Sequence, residues 1–441
     1  MILRLLDTFI GKFPKLRRSL VRLIEIRSFH EDKVVYRNSA NTQLSTFQDL
    51  ESKALKKRLG IDGQCLLNAT RERGIGKYTW RLISEFSTIR SDVEIVILIP
   101  SIFSANRVSE LIIEIQNANL TNIRVQVIDI FKGKGNSHLR DAQLVIKSAC
   151  TTFSLDAVLV PSNFEHPSSV VPFDLDMNIP TFAIFYDLIP LSNPESLLFS
   201  RLRASTYQWQ MHRLLEFNLV FTISDFSRAI LAKQFPATIS ARSIWGGPGL
   251  NLNLGESNLG DFESRKGVLV IGAELPHKNL PQMIKAYSLI SQRTRENHPL
   301  TIVGIRSSGY RGYLKKIADK HQVDLKIPKY LSEISLAEIY SETRLVVIPS
   351  KVEGLSLPIL EAWHFDCVAI GGKDTVAQEI IGDPNLLFDV MDPIDLSTRI
   401  DLLLNSNALW EDSLMLSRER KKLFTWENSV KLVADELERF W

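Results

Sequence analysis

Two doubly wound α/β domains in tandem are the fold that this 441-residue sequence predicts. Three observations carry the prediction. Short apolar, β-branched runs alternate with segments of helical period from residue 63 onward. A Gly-, Asn- and Ser-rich break, "GGPGLNLNLGESNLGDFESRK" over residues 246–266, interrupts that rhythm. The rhythm then starts again. Strands alternating with helices mark βαβ units and a parallel sheet covered on both faces. A loose polar stretch between two such series marks a domain boundary. The length agrees, because it exceeds what one hydrophobic core supports.

Taken in order, the first series reads "GQCLLNA" as a strand, "GIGKYTWRLISEF" as a helix and "VEIVILIP" as a buried strand. The helix "RVSELIIEIQNAN" and the strands "IRVQVIDI", "AVLVPS" and "TFAIFYD" follow. A long helix from about Glu195 to Glu216 and the strand "LVFTIS" complete it. The second series reads "GVLVIGA", "LTIVGI", "LKIPKYL", "RLVVIPS" and "CVAIGG" as strands. Between them, "LPQMIKAYSLIS", "YRGYLKKIADKH", "LAEIYSE" and "PILEAWHF" read as helices. The domain plan is an extension over 1–58, a first domain over 59–250, a second over 251–423, and a last segment over 424–441. The two halves share a fold type without a sequence period, so the chain is not a solenoid.

Composition narrows the function. Apolar residues make up 45% and charged residues 23%, the balance of a soluble globular protein. A net charge of +3 gives no global attraction to nucleic acid, and none is expected as a partner. Cys65, Cys150 and Cys367 stand far apart, without metal-type spacing, and read as reduced buried residues of a cytoplasmic protein. No run reaches the ~18–20 apolar residues of a membrane span. Residues 1–28 are basic and of helical period, but lack the uncharged core and small-residue cleavage site of a secretory signal. Two readings fit them: an amphipathic helix on an anionic membrane surface, or a helix packed on its own protein with a solvated basic face. The polar stretch that follows, up to Arg58, reads as a linker.

Open α/β sheets bind ligands outside the carboxyl ends of their strands, so three loops matter most. In "ATRERGIGKYTW", Gly74 and Gly76 open a helix after a strand and leave N–H groups suited to phosphate. The third glycine of a dinucleotide fingerprint is missing, Thr79 standing in its place, which removes a nicotinamide oxidoreductase from consideration. In "IGAELPHKNLPQM", a strand ends at Gly272 and Lys278 with Asn279 leads into a helix. A lysine there opposes the helix dipole unless an anion sits beside it. In "SKVEGLSLPILEAW", Pro358 marks a first helical turn, which leaves Glu353 in the loop and Glu361 in the helix. The amides of Gly354, Leu355, Ser356 and Leu357 are then unpaired helix-start donors. Carboxylates beside an anion site suit sugar hydroxyls better than phosphates. One for a ribose and one for a second sugar fits a nucleotide-diphosphate sugar.

At this point the motifs converge on a known family. "EGLSLPILE" resembles the E-G-F-G-L-P-x-x-E motif of the retaining glycosyltransferases of family 4, the group 1 glycosyltransferases of GT-B fold. "IGAELPHKN", "RGIGKYTWRLISEF", "FYDLIPLSNPE", "FTISDFSRAIL" and "IIGDPNLLFDVMDPIDLSTRI" resemble further segments of that family in the same order. "FTWENSVKLV" resembles the start of its last helix, which crosses back onto the N-terminal domain. The similarity spans about residues 60–441. It implies two Rossmann-like domains facing across a cleft, the first on the acceptor side and the second binding the nucleotide sugar. It also implies transfer of a sugar to a glycan or lipid-linked acceptor, in cell-surface or exopolysaccharide synthesis, with no cofactor and no metal. "DLDMN" around Asp174 is read as ordinary loop acid.

Carried over residue by residue, the resemblance makes Glu361 the ribose ligand and places Glu353 near the reacting centre. Lys278 and the amides after Glu353 face the diphosphate, and Gly76 approaches it from the other domain. Gly272 and Asn279 belong to the same donor site, and Asp187 to the reacting centre. Three positions depart from the family. Tyr186 stands where relatives have His, and its hydroxyl is a candidate sugar ligand. Ala273 stands where many have Arg, and His277 where one subgroup has Arg, with Arg306 the candidate to replace the lost cation. The competing reading is a catalytically silent GT-B module that binds sugar nucleotide or a partner transferase.

Overall fold

A computed structural model of the chain describes residues 57–71, 74–130, 136–165, 175, 177–192, 194–198, 200–235, 239–250, 260–329 and 331–441. The basic segment 1–28, most of the linker and the two aspartates of "DLDMN", at 174 and 176, lie outside the described residues.

Two all-parallel sheets organise the fold. The first contains β1 (Lys57–Asp62), β2 (Val93–Pro100), β3 (Ile123–Ile128), β4 (Ala157–Val160), β5 (Thr181–Phe185), β6 (Leu219–Thr222) and β7 (Ala241–Ser243), in the order β3-β2-β1-β4-β5-β6-β7. Its helices include α1 (Gly74–Ile89), α2 (Ala105–Asn117), α3 (Asn136–Thr152), α4 (Arg201–Arg213) and α5 (Asp225–Gln234). The second sheet contains β8 (Lys266–Ile271), β9 (Leu300–Val303), β10 (Leu325–Lys326), β11 (Thr343–Ile348), β12 (Val368–Gly372) and β13 (Leu387–Phe388), in the order β10-β9-β8-β11-β12-β13. With it go α6 (Leu280–Ser288), α7 (Ser308–Lys320), α8 (Glu333–Glu342), α9 (Leu357–His364), α10 (Val376–Ile381), α11 (Pro393–Asn405) and α12 (Asn407–Arg420).

Burial on both faces explains why the central strands read as unbroken apolar runs. Every residue of β2 and of β11 is buried. The two-residue strand period divides β2 between two cores: Val93, Ile95, Ile97 and Ile99 pack on one face, Val96 and Leu98 on the other. A separate core fills the second domain. Leu355 packs against that core and against the first domain's, so it lies where the two meet.

Helix α13 (Trp426–Glu438) ends the chain and belongs to the first domain's core, through Trp426, Val430, Val433, Ala434 and Leu437. The Trp426 indole N–H donates to the Pro248 carbonyl at 2.9 Å. Its ring meets Tyr78 edge-on at 4.9 Å, and the Tyr78 hydroxyl donates to the Ile244 carbonyl at 2.6 Å. The return helix is thereby tied to the segment that leaves the first domain.

Two sequence expectations are corrected here. The first strand is "KRLGID", not "GQCLLNA", of which Gln64–Leu66 form a single 3₁₀ turn. Lys57 and Arg58 disguise the strand as linker, and their charges are met in the fold by Asp156 and Glu94, at 3.1 and 2.8 Å. The expected helix from Glu195 to Glu216 is a short turn at Pro194–Leu197, then α4, then a 3₁₀ turn at Leu214–Glu216. Ser200 is extended and caps α4, its side chain accepting from the Arg203 amide, so a new helix begins there.

Candidate functional site

The loops after β8 and β11 run side by side at the carboxyl ends of adjacent strands. In the first, Gly272 donates to the Val303 carbonyl at 2.8 Å, and Pro276–Lys278 form a 3₁₀ turn. Asn279 closes the turn with φ of 58°, a left-handed conformation that asparagine tolerates. In the second, the Lys351 amide donates to the His277 carbonyl at 2.8 Å and fastens one loop to the other. Lys278 Nζ then lies 2.8 Å from Glu353 Oε1, with Glu353 only 8% exposed.

Gly354 approaches the first domain closely. Its carbonyl accepts from Ser224 Oγ at 2.6 Å and Ser227 Oγ at 3.2 Å. A Cβ on this residue would stand 2.2 Å from the Tyr186 carbonyl oxygen, so only glycine fits without moving the domains. Helix α9 starts at Leu357 with Pro358 in its first turn. Ser356 is the capping residue, yet its side chain makes no capping bond. Glu361 is buried and accepts from the Tyr340 hydroxyl at 2.8 Å. Burial holds its pKa above the ordinary value, while the hydrogen bonds from Tyr340 and the Gly249 backbone oppose that shift.

Asp187 reaches the same neighbourhood from the end of β5. Its Oδ1 accepts from the Ile189 amide at 2.9 Å. Burial raises its pKa, the Glu353 charge adds to the rise, and Lys278 counteracts it, so the three charges share one electrostatic environment. His277 is 3% exposed and held neutral, its pKa pushed down to about 4 by burial and by Lys278. His277 Nδ1, Ser350 Oγ and Ser356 Oγ are buried without a hydrogen-bond partner. Buried polar groups normally find partners, and these three cluster along the two loops. An ammonium group, free helix-start amides and unspent hydroxyls make a setting for an anion that carries further polar groups.

The structure brings Lys278, Glu353, Gly354, Leu355, Ser356 and Asp187 together, with Glu361 one turn further along α9. Other expectations need correction. The Tyr186 hydroxyl is not offered to a sugar: it is buried inside the first domain, 3.1 Å from Thr79 Oγ1. What Tyr186 gives the site is its carbonyl, which accepts from Ser227 Oγ at 2.7 Å. The Gly76 amide is not free, since it closes a turn onto the Thr70 carbonyl at 3.2 Å. The Asn279 side chain donates to the Val390 carbonyl at 2.8 Å and shapes the loop. Arg306 is exposed on the loop after β9, which meets the first loop where the Ser307 amide donates to Glu274 at 2.5 Å. Ser224, Ser227 and Tyr340 were not assigned from sequence. The spacing S-x-x-S in "FTISDFSRAIL" is the one local signal for the serines.

Among the described residues, no group of three or more His, Cys, Asp or Glu side chains is arranged to hold a metal ion. No described helix is long and apolar enough to cross a membrane.

Comparison with known proteins places this geometry. Residues 257–422, the domain that carries both loops, match the family model "Glycosyl transferases group 1". The O-antigen chain mannosyltransferase B of Escherichia coli is 27% identical over 282 residues, which cover 60% of this chain and 71% of that protein. The serotype-specific mannosyltransferase WbdA of Escherichia coli is 22% identical over 406 residues, covering 86% of this chain and 48% of WbdA. The chain thus spans about half the length of WbdA. Among solved structures, sucrose-phosphate synthase of Thermosynechococcus elongatus has a TM-score of 0.63 at 14% identity, covering 87% of this chain and 99% of that one. Anabaena HepE, in complex with UDP and glucose, has a TM-score of 0.61 at 14% identity, with the same coverage. These likenesses show the fold, two Rossmann-like α/β domains of the GT-B type. Over residues 257–422, its second domain, the chain is similar to the group 1 glycosyltransferases.

Proposed function

We propose that the chain moves a sugar from a nucleotide-diphosphate sugar to a hydroxyl of a glycan or lipid-linked glycan acceptor, with retention at the anomeric carbon, in surface-polysaccharide synthesis. The observation that carries this reading is the Lys278–Glu353 pair at 2.8 Å, set where the free amides of α9 begin. In the reaction, the bond from the anomeric carbon to the diphosphate breaks and its electron pair goes to the phosphate oxygen. The acceptor oxygen bonds the same carbon, and its proton passes to the departing phosphate on the front face. Negative charge grows on the diphosphate, and Lys278 with the amides of Gly354, Leu355, Ser356 and Leu357 is placed to stabilise it. These fixed donors fill the role a divalent cation would otherwise have. Glu361 accepts from the ribose hydroxyls, and Glu353 and Asp187 border the transferred sugar. The two Escherichia coli mannosyltransferases make a mannosyl donor the first to try.

A thermal-shift series with GDP-, UDP- and dTDP-sugars tests the donor site. A ligand that binds only the folded state adds about 2.7 kcal/mol of stability at a hundred times its Kd. One donor, GDP-mannose first, is expected to raise the midpoint of the wild type and to lose that effect in Glu361→Ala. No shift with any sugar nucleotide would overturn the reading. We further propose that residues 1–28 contact an anionic membrane surface on the cytoplasmic side, near a lipid-linked acceptor. Deleting them is expected to abolish association with anionic liposomes, and undiminished association would refute the assignment.

A further inference from the structure

We propose that Glu379 of α10 is a positioning residue that sets Glu353 through a relay across the domain interface. This rests on the donor-site reading above. The Glu379 carboxylate lies on the N-terminus of α5 in the other domain: Oε1 accepts from the Asp225 amide at 3.0 Å and Oε2 from the Phe226 amide at 2.6 Å. The Trp245 indole N–H also donates to Oε1. A carboxylate on helix-start amides satisfies groups that the helix itself leaves open, and it complements the helix dipole. Asp225 does not compete for those amides, because its own carboxylate is bound by Arg228 at 2.8 Å and Ser243 at 2.7 Å.

The same helix start carries the contact to the site. Ser224, which caps α5, accepts from the Ser227 amide at 2.9 Å and donates to the Gly354 carbonyl at 2.6 Å. Ser227 Oγ bridges the Tyr186 and Gly354 carbonyls at 2.7 and 3.2 Å. Both serines are fully buried, so no water stands in for these bonds. Gly354 follows Glu353 directly, and its carbonyl is therefore held in the peptide unit next to the one that presents Glu353 to Lys278. One second-domain element, α10, thus grips the helix start that aims another second-domain segment, the loop before α9. Without Glu379, α5 loses its only carboxylate from the opposite domain among the described residues, and the serine pair is no longer held at a fixed distance from Gly354.

The test uses Glu379→Gln in the full chain, since the amide keeps the shape but offers one acceptor oxygen in place of two. Hydrogen exchange at the Asp225 and Phe226 amides is expected to quicken about tenfold or more. Turnover with the donor that the thermal-shift series selects is expected to fall about tenfold in kcat, with donor KM changed less than about threefold, because donor contacts are intact and only their alignment is disturbed. Combining Glu379→Gln with Ser224→Ala and Ser227→Ala is expected to cost no more than the serine pair alone, since all act through one relay. Fully additive losses, or wild-type kcat in Glu379→Gln, would overturn the proposal. If the wild type turns over no sugar nucleotide, it is the donor-site reading that fails, and the exchange measurement still decides whether Glu379 holds α5. Should Glu379→Gln fail to fold, Ser224→Ala with Ser227→Ala gives the same test from the other end, an unchanged kcat again being the overturning result.

Discussion

Replacing Lys278 by alanine is expected to lower the rate of sugar transfer by about 10²–10³-fold, the typical cost of removing one preorganised donor to developing negative charge. The lysine is the cation that both strand-end loops converge on, 2.8 Å from Glu353 and in electrostatic contact with Asp187. Its removal leaves the buried Glu353 and the half-buried Asp187 without their counter-charge, so the site loses a cation and gains repulsion toward a diphosphate. Arginine at this position keeps the charge but spreads it over a larger planar group, and is expected to recover only part of the rate. Single-turnover transfer with saturating donor measures the effect on the chemical step. A loss smaller than about tenfold would show that the α9 amides alone carry the leaving group.

The largest expected effect on stability lies elsewhere, at Arg265. This residue is 1% exposed, just before β8, and its guanidinium works as a hub for main-chain carbonyls. Nε donates to Gly260 at 2.8 Å, Nη1 to Tyr340 and Thr343 at 3.1 Å each, and Nη2 to Phe365 at 2.6 Å. The group stays buried even though burial pulls its pKa down, because four carbonyl dipoles replace its water shell. Arg265→Ala strands those carbonyls at once. Each buried acceptor left without a partner costs about 1–3 kcal/mol, so the variant is expected to lose about 4 kcal/mol or more. Lysine cannot span the same fork and is expected to lose somewhat less. Urea unfolding followed in the second domain reads this directly, and a loss under about 1 kcal/mol would mean that water takes the place of the guanidinium. Tyr340 links this hub to the site, because the hydroxyl of the residue whose carbonyl Arg265 holds donates to Glu361.

The sequence by itself determined the elements whose pattern is local. Unbroken apolar runs mark β2 and β11 because parallel strands are covered on both faces. Pro358 marks the first turn of α9 because its fixed φ and missing N–H suit that position, and the free amides before it follow from helix geometry alone. The approach of Lys278 to the Glu353 loop was legible for the same reason: both follow strands of one sheet, and ligand loops gather at those ends.

Only the tertiary structure decided what depends on partners far along the chain. Strand β1 hides behind Lys57 and Arg58 until Asp156 and Glu94 meet them. The Tyr186 hydroxyl reads as a sugar ligand until Thr79 is found beside it, 107 residues away in sequence. Glu379 reads as an ordinary helix acid, and the amides it binds lie 153 and 154 residues earlier. No periodicity or local motif encodes such pairs. A side chain's hydrogen bonds are set by whichever groups the packed core brings within about 3 Å, and that is settled only when the domains have folded and met.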